Sequence, residues 1–390
     1  MAKNNITKRP KRMVSLFSGI GGFELGFQSI GVQTTLMCEN DATAQYTLKA
    51  NFPNVKLFGD VCELEKFPRW TDVLCAGFPC QDISTIGFKK GMSGTRSSLI
   101  KEVFRLLGKN PVEWVVIENV TNMLHLNGGE TINSIIEELE RLGYKWAYRT
   151  INSMSFVPQN RKRVFVVASL HNDPRNVLLS GDSQKVYGTI SSDDFTNPCG
   201  FYWTEGKYAI GLYENGIPTL KCGSTIGIPS PPAIAFPDGN IASPDIRDAE
   251  RFQGFPAYWT KPAEEVTKSS GRWKLVGNAV TVDVVSWIAN KIIKPEEYDY
   301  SSDKELTYGK KWPAAAWGDG KKRFISAASD CPKDRDEISL IEFLKYPCKP
   351  LSVKAAKGFE KRLNTGTVRS PRFFSKAIHD YVTIKSQENG

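Results

Sequence analysis

Between residues 13 and 169, short runs rich in β-branched residues alternate with stretches of helical periodicity, and this alternation confines the chain to an α/β architecture. The strand runs are 13–17, 34–38, 72–76, 114–118 and 163–168, and helices are predicted near 22–30, 42–51, 97–107 and 130–142. Right-handed crossovers between parallel strands require such helices. Beyond His171 the texture changes to short strands with many Gly and Pro, so 171–246 reads as a small irregular domain. Helical patterns return at 247–252 and 279–293, the second amphipathic enough to pack on something already built. The segment 295–390 reads as a third region with helices near 337–345, 352–363 and 371–382. Ser370-Pro371 is expected to start the last helix, as N-cap and first helical residue.

The 390 residues are 41% hydrophobic and 24% charged, which excludes a disordered or fibrous chain. No apolar run reaches the ~18 residues that span a bilayer, and Glu24 interrupts the apolar stretch after the basic start, so neither an anchor nor a signal peptide is expected. The eight cysteines form no Cys-x-x-Cys pair and there are three histidines, so neither a metal site nor a disulfide framework is expected. Reduced, mostly buried thiols in a cytoplasmic protein follow from that usage.

Phe17-Ser18-Gly19-Ile20-Gly21-Gly22-Phe23 directly follows the first strand and opens the first helix. Glycines there let backbone approach a ligand. The dinucleotide pattern G-x-G-x-x-G fails because position 24 is Glu, yet an acidic residue about 20 positions on, suited to ribose hydroxyls, is present as Glu39. A nucleoside-containing ligand is therefore expected. Asp60 could reach an adenine amino group from the same edge, or could simply be a turn residue.

Gly77-Phe78-Pro79-Cys80-Gln81 follows the fourth strand, in the crevice where open α/β sheets bind ligands. The next strand ends in Glu118-Asn119-Val120. A thiol and a carboxyl at neighbouring strand ends can be structural, but beside a nucleoside pocket they also describe a nucleophile and a proton manager.

These segments, with Gln159-Asn160-Arg161-Lys162-Arg163, the stretch 247–256 (RDAERFQGFP) and Gly277-Asn278-Ala279-Val280, resemble in order and spacing the motifs of DNA cytosine-5 methyltransferases. The match runs from Met13 to about residue 290, apart from the variable segment 171–218. The resemblance implies a mixed α/β sheet of the Rossmann-like, S-adenosylmethionine-dependent type. It also implies a domain plan: a basic arm at 1–12, a catalytic and cofactor-binding domain at 13–170 resumed at 247–294, a target-recognition domain at 171–246, and a partly helical, basic extension at 295–390.

By that resemblance Cys80 attacks carbon 6 of cytosine, Glu118 binds ring nitrogen 3 and the amino group, and Arg163 holds the carbonyl oxygen. Arg161 either meets a phosphate or supports the loop. S-adenosylmethionine would lie against Phe17, Gly19, Ile20, Gly21 and Gly22, with Glu39 and Asn40 at the ribose and Asp60 and Val61 at the adenine edge. Pro79, Leu99, Asn278 and Val280 would complete the pocket. Ser15 departs from the pattern, since many members carry Asp two residues before the phenylalanine. The loop 81–96, with Gln81, Ser84 and Arg96 as DNA contacts, would close over an extruded base. Thr219-Leu220 resembles a pair placed near the displaced base.

Double-stranded DNA is then the partner of a monomeric, cytoplasmic and nucleoid-associated enzyme, with a cognate restriction endonuclease acting separately. An RNA cytosine methyltransferase, a noncatalytic DNA-binding relative and an NAD-dependent oxidoreductase are the competing readings. The net charge of +9 sits at the ends: +5 in residues 1–12 and +7 in 343–390, leaving −3 for 13–342. The terminal segments are therefore expected to add phosphate contacts.

Overall fold

The computed structural model describes residues 11–79, 99–190, 194–222, 231–307, 311–336 and 338–388. They form two compact units, one from residues 1–150, 163–181 and 284–329, the other from 151–162, 182–283 and 330–390. The segment 295–390, read from the sequence as one extension, thus divides between the units.

In the first unit β1 (Arg12–Leu16), α1 (Gly22–Gln28), β2 (Gln33–Cys38), α2 (Ala42–Asn51), β3 (Lys56–Phe58) and β4 (Val73–Ala76) alternate, followed by α3 (Leu99–Lys109), β5 (Trp114–Val120), α4 (Glu130–Arg141) and β6 (Lys145–Asn152). Strand β1 pairs in parallel with β2 and β4, β2 with β3, and β4 with β5. The strand Lys162–Ser169 then runs antiparallel to β5, with Val120 opposite Arg163. The strand order, Lys304–Glu305, Arg323–Ile325, Ala315–Gly318, β6, Lys162–Ser169, β5, β4, β1, β2, β3, makes a mixed ten-stranded sheet.

Central strands bury both faces, which is why β4 and the first residues of β5 read as unbroken apolar runs. One face carries Val14, Leu16, Leu74, Ile117 and Val166 against Val103, Leu107, Ile135 and Leu139 of α3 and α4. Helix Val282–Ile293 packs on α1, where Ser286 Oγ donates to the Gly26 carbonyl at 3.5 Å. The predicted helix at 279–293 thus begins three residues late, because Ala279 is extended and a separate helix, Gly271–Asn278, precedes it.

The second unit centres on a five-stranded sheet in the order Tyr213–Glu214, Cys199–Phe201, Ala233–Ala235, Ile241–Ser243, Lys349–Pro350. Helices Val353–Thr365 and Arg372–Gln387 cover it through Ala356, Phe359, Leu363, Phe374 and Ile378, which pack on Phe201, Ala233 and Ala235. The chain's basic end is therefore built into this unit's core on one face of each helix. Ser370 is not the cap of the last helix: Pro371 takes that place with extended backbone (ψ 144°), and Ser370 Oγ pairs with Ser375 Oγ at 2.6 Å. Among the described residues no helix is long and apolar enough to cross a membrane.

Candidate active site

The first unit's site grows from the turn after β1. Phe17 holds a left-handed backbone (φ 58°), uncommon for a bulky side chain and costing on the order of 1 kcal/mol, so packing must impose it. Its ring meets Phe78 edge-on at 6.4 Å. Gly21, at φ 91°, caps α1 with no side chain, a conformation glycine adopts freely. Among the described residues a side chain at Gly19 would meet nothing within 4 Å, which leaves space beside the turn. Glu39 straps the turn to the end of β2: one carboxylate oxygen accepts from the Gly19 N–H and the other from the Asp41 N–H, each at 2.8 Å. Burial pushes its carboxyl above the usual range, against the pull of those two donors. Ile20 and Val61 are buried, Asn40 and Pro79 are exposed, and Leu99 packs with Phe17 against the core. Asp60 accepts from the Cys62 N–H at 2.8 Å and caps the short turn Val61–Glu63, the bland alternative for this residue.

Next to the turn, β4 and β5 end together. Glu118 and Arg163 face each other, Nε to Oε1 at 3.1 Å, with side chains 13% and 17% exposed. Such a pair is dry enough to hold its geometry and open enough to be reached. Gly77 adjoins it, and a Cβ there would make ordinary contact with Glu118 Oε2 at 3.5 Å. Asn119, which the sequence reading left without a role, donates to the Phe78 carbonyl at 3.0 Å and accepts from the Val120 N–H at 2.9 Å. It ties the chain entering Cys80 to the strand bearing Glu118. Cys80, Gln81, Ser84 and Arg96 lie outside the described residues.

Under the turn lies a carboxyl that the sequence marked only as breaking the dinucleotide pattern. Glu24 is fully buried, accepts from the Ser15 hydroxyl, and keeps Oε2 without a hydrogen-bond partner among the described residues. Burial pushes it up to about 7, opposed by hydrogen bonds from Ser15 and Ser18. The folded protein therefore holds this proton longer than the unfolded chain does. Stability should fall as pH rises from about 4.5 to about 7, by on the order of 3 kcal/mol from this group. Urea unfolding across that range should show the decline in the wild type and lose this component in Glu24→Gln.

In the second unit the remaining motif segments form a buried polar web. Residues Gln159–Asn160 bridge Ile217–Pro218 in parallel, and Gln159 Oε1 accepts from the Leu220 N–H at 2.9 Å while its Nε2 donates to the Phe252 carbonyl at 2.7 Å. Thr219 Oγ1 donates to the Asn160 carbonyl at 2.6 Å. Arg161, 1% exposed, donates to the carbonyls of Leu220 at 3.2 Å and Ala279 at 2.7 Å. Gln253 donates to the Val276 carbonyl at 2.9 Å and accepts from Thr281 Oγ1 at 2.9 Å. Asn278 is exposed and Val280 buried. Glu250 and Arg272, both buried, pair at 2.8 Å. Gly277 lets its helix touch the backbone of Lys221, since a Cβ would sit 2.6 Å from that carbonyl carbon. Gly277→Ala should cost about 1–3 kcal/mol, measured by thermal unfolding, because backbone has no rotamer with which to yield.

The family model for C-5 cytosine-specific DNA methylase matches residues 11–198. Type II methyltransferase M2.BsuMI of Bacillus subtilis (strain 168) is 44% identical over 359 residues, 89% of this chain and 92% of that protein. The chain belongs to the C-5 cytosine-specific DNA methylase family. Type II methyltransferase M.SsoII of Shigella sonnei is 31% identical over 72% of this family member and 80% of its own length. In fold, the Schizosaccharomyces pombe Dnmt2 methyltransferase superposes with a TM-score of 0.52 at 16% identity, covering 73% of this chain and 98% of its own. The Entamoeba histolytica methyltransferase EhMeth gives 0.53 at 14% identity, covering 74% and 99%. Both agree with the expected mixed α/β fold.

Within this methylase the sequence-predicted residues fall into two sets. Phe17, Gly19, Ile20, Gly21, Gly22, Glu39, Asn40, Asp60, Val61, Pro79, Leu99, Glu118 and Arg163 belong to the first unit. Arg161, Thr219, Leu220, Asn278 and Val280 belong to the second. Buried thiols elsewhere, such as Cys38 and Cys199, are pushed up to about 12 by burial and behave as small hydrophobes.

Proposed function

We propose that this methylase transfers a methyl group to carbon 5 of a cytosine extruded from double-stranded DNA, through a covalent bond between Cys80 and carbon 6. The observation that carries the reading is the Glu118–Arg163 pair, held at adjoining strand ends where Asn119 anchors the chain that leads into Cys80.

Thiolate attack forms the sulfur–carbon 6 bond and pushes the ring's double-bond electrons to carbon 5. Glu118, on ring nitrogen 3 and the amino group, and Arg163, on the carbonyl oxygen, hold charge where it develops, so they stabilise the transition state more than the resting base. S-adenosylmethionine, when bound, supplies an electrophilic methyl group. The residues available to hold it fit: open space at Gly19, the Phe17 ring, and Glu39 fixed at the strand end for ribose hydroxyls. Loss of the carbon 5 proton then returns the electrons and expels the Cys80 thiolate.

Arg161, Thr219 and Leu220 form one braced element, which fits presentation of a recognition loop to DNA. We place the enzyme in the cytoplasm, as a monomer, in a restriction-modification system whose endonuclease acts separately. The test is labelled methyl transfer to duplex DNA and to transfer RNA in parallel, with bisulfite sequencing of genomic DNA from expressing cells. Protected cytosines in one sequence context are expected; label in RNA alone would overturn the reading.

A further inference from the structure

A chain of hydrogen bonds runs beneath the glycine turn. The Cys38 N–H donates to Ser18 Oγ at 3.2 Å, and the Ser15 hydroxyl donates to Glu24 Oε1. The Ser15 and Ser18 hydroxyls touch, and Ser18 also lies 3.3 Å from the Ser15 carbonyl, to which it can donate. The Ser15 hydroxyl, pointing at Oε1, favours a negative charge on Glu24. Yet the carboxyl is fully buried and Oε2 has no partner among the described residues. A buried charge needs an opposite charge or gives itself up by binding a proton.

The groups bearing on Glu24 supply none. Glu39 at the end of β2 opposes its ionisation, and Cys75 on β4 is a buried thiol that Glu24 itself pushes further up. From helix Val282–Ile293, packed on α1, Lys291 is engaged with Glu296. Among the described residues the turn is open on the side of Gly19.

We propose that Glu24, wired through Ser15 and Ser18 to the glycine turn, is the counter-charge of the bound methyl donor and that donor binding draws off its proton. Glu24 is thus a positioning residue, acting through the turn. It restores from the first turn of α1 the carboxylate that this chain lacks at Ser15. S-adenosylmethionine carries a sulfonium that its product, S-adenosylhomocysteine, has lost. The cationic donor should therefore expel the Glu24 proton more fully than the neutral product. This rests on the reading that the turn holds S-adenosylmethionine.

Titration calorimetry of the full chain at pH 7, in buffers of different ionisation enthalpy, counts the protons released. Release of a fraction of a proton per donor is expected for the wild type, since burial raises this carboxyl toward neutral pH. Less release is expected with S-adenosylhomocysteine, and none with Glu24→Gln, which should bind the donor roughly tenfold more weakly. Ser15→Ala, which keeps the carboxyl and cuts the wire, should fall between. Loss of the protonated-carboxyl infrared band on donor binding, absent from Glu24→Gln, gives a second readout. Equal proton release by wild type and Glu24→Gln would overturn the proposal alone. Failure of wild type to bind either nucleoside would overturn the donor-site reading, and this inference with it.

Discussion

Cys80→Ser is expected to reduce methyl transfer by at least ~10³-fold while leaving donor binding largely unchanged. An alcohol at that position is scarcely ionised near neutral pH, so the attack that activates carbon 5 loses its nucleophile, and removing one member of a set of groups that act together removes most of what the set achieves. Duplex DNA bearing 5-fluorocytosine at the target should trap the wild-type enzyme in a denaturation-resistant adduct, because carbon 5 then has no proton to lose. The serine variant should trap nothing. Single-turnover transfer and a denaturing gel measure both arms, and a serine variant that methylates at the wild-type rate would remove Cys80 from the chemistry.

Glu118→Gln should lower kcat by about 10²–10³, with a much smaller change in KM, as expected for an interaction that strengthens as charge develops on the ring. The amide keeps the size of the side chain and the neighbour at Gly77, so loss of packing is a small part of the effect. Arg163→Ala should cost a similar factor. The double variant should cost less than the product of the two, since each already loosens its partner across a 3.1 Å contact. Comparable losses in KM and kcat would instead point to a misplaced strand end.

The strands at 13–17, 34–38, 72–76, 114–118 and 163–168 were legible within a residue or two because central strands must be apolar on both faces. β6 was not. Its sequence, KWAYRTIN, mixes charge with aromatic residues, and its buried Arg149 is satisfied by donating to the carbonyls of Ser329 at 2.6 Å and Gly181 at 2.9 Å. Those partners are set by tertiary packing, which periodicity cannot see. The helix Gly271–Asn278 escaped for a related reason: at eight residues with glycine near both ends, it lacks an apolar stripe. In the site, Glu39 and Glu118 could be singled out by residue type and strand-end position, and Arg163 only through the resemblance. Asn119, Ser18 and Glu24 were not assigned roles, because what matters is the atom opposite each one.

The second unit's sheet takes strands from residues 199–243 and its edge from Lys349–Pro350, and its covering helices end at Gln387. The first unit likewise waits for residues 284–329. The first unit cannot close before residue 329 has been made, nor the second before the helices that end at Gln387. Each sheet thus stays incomplete until long after its first strands are made. A chain broken off before residue 349 would leave Phe201 and Ala233 facing water, material for degradation rather than a smaller working enzyme.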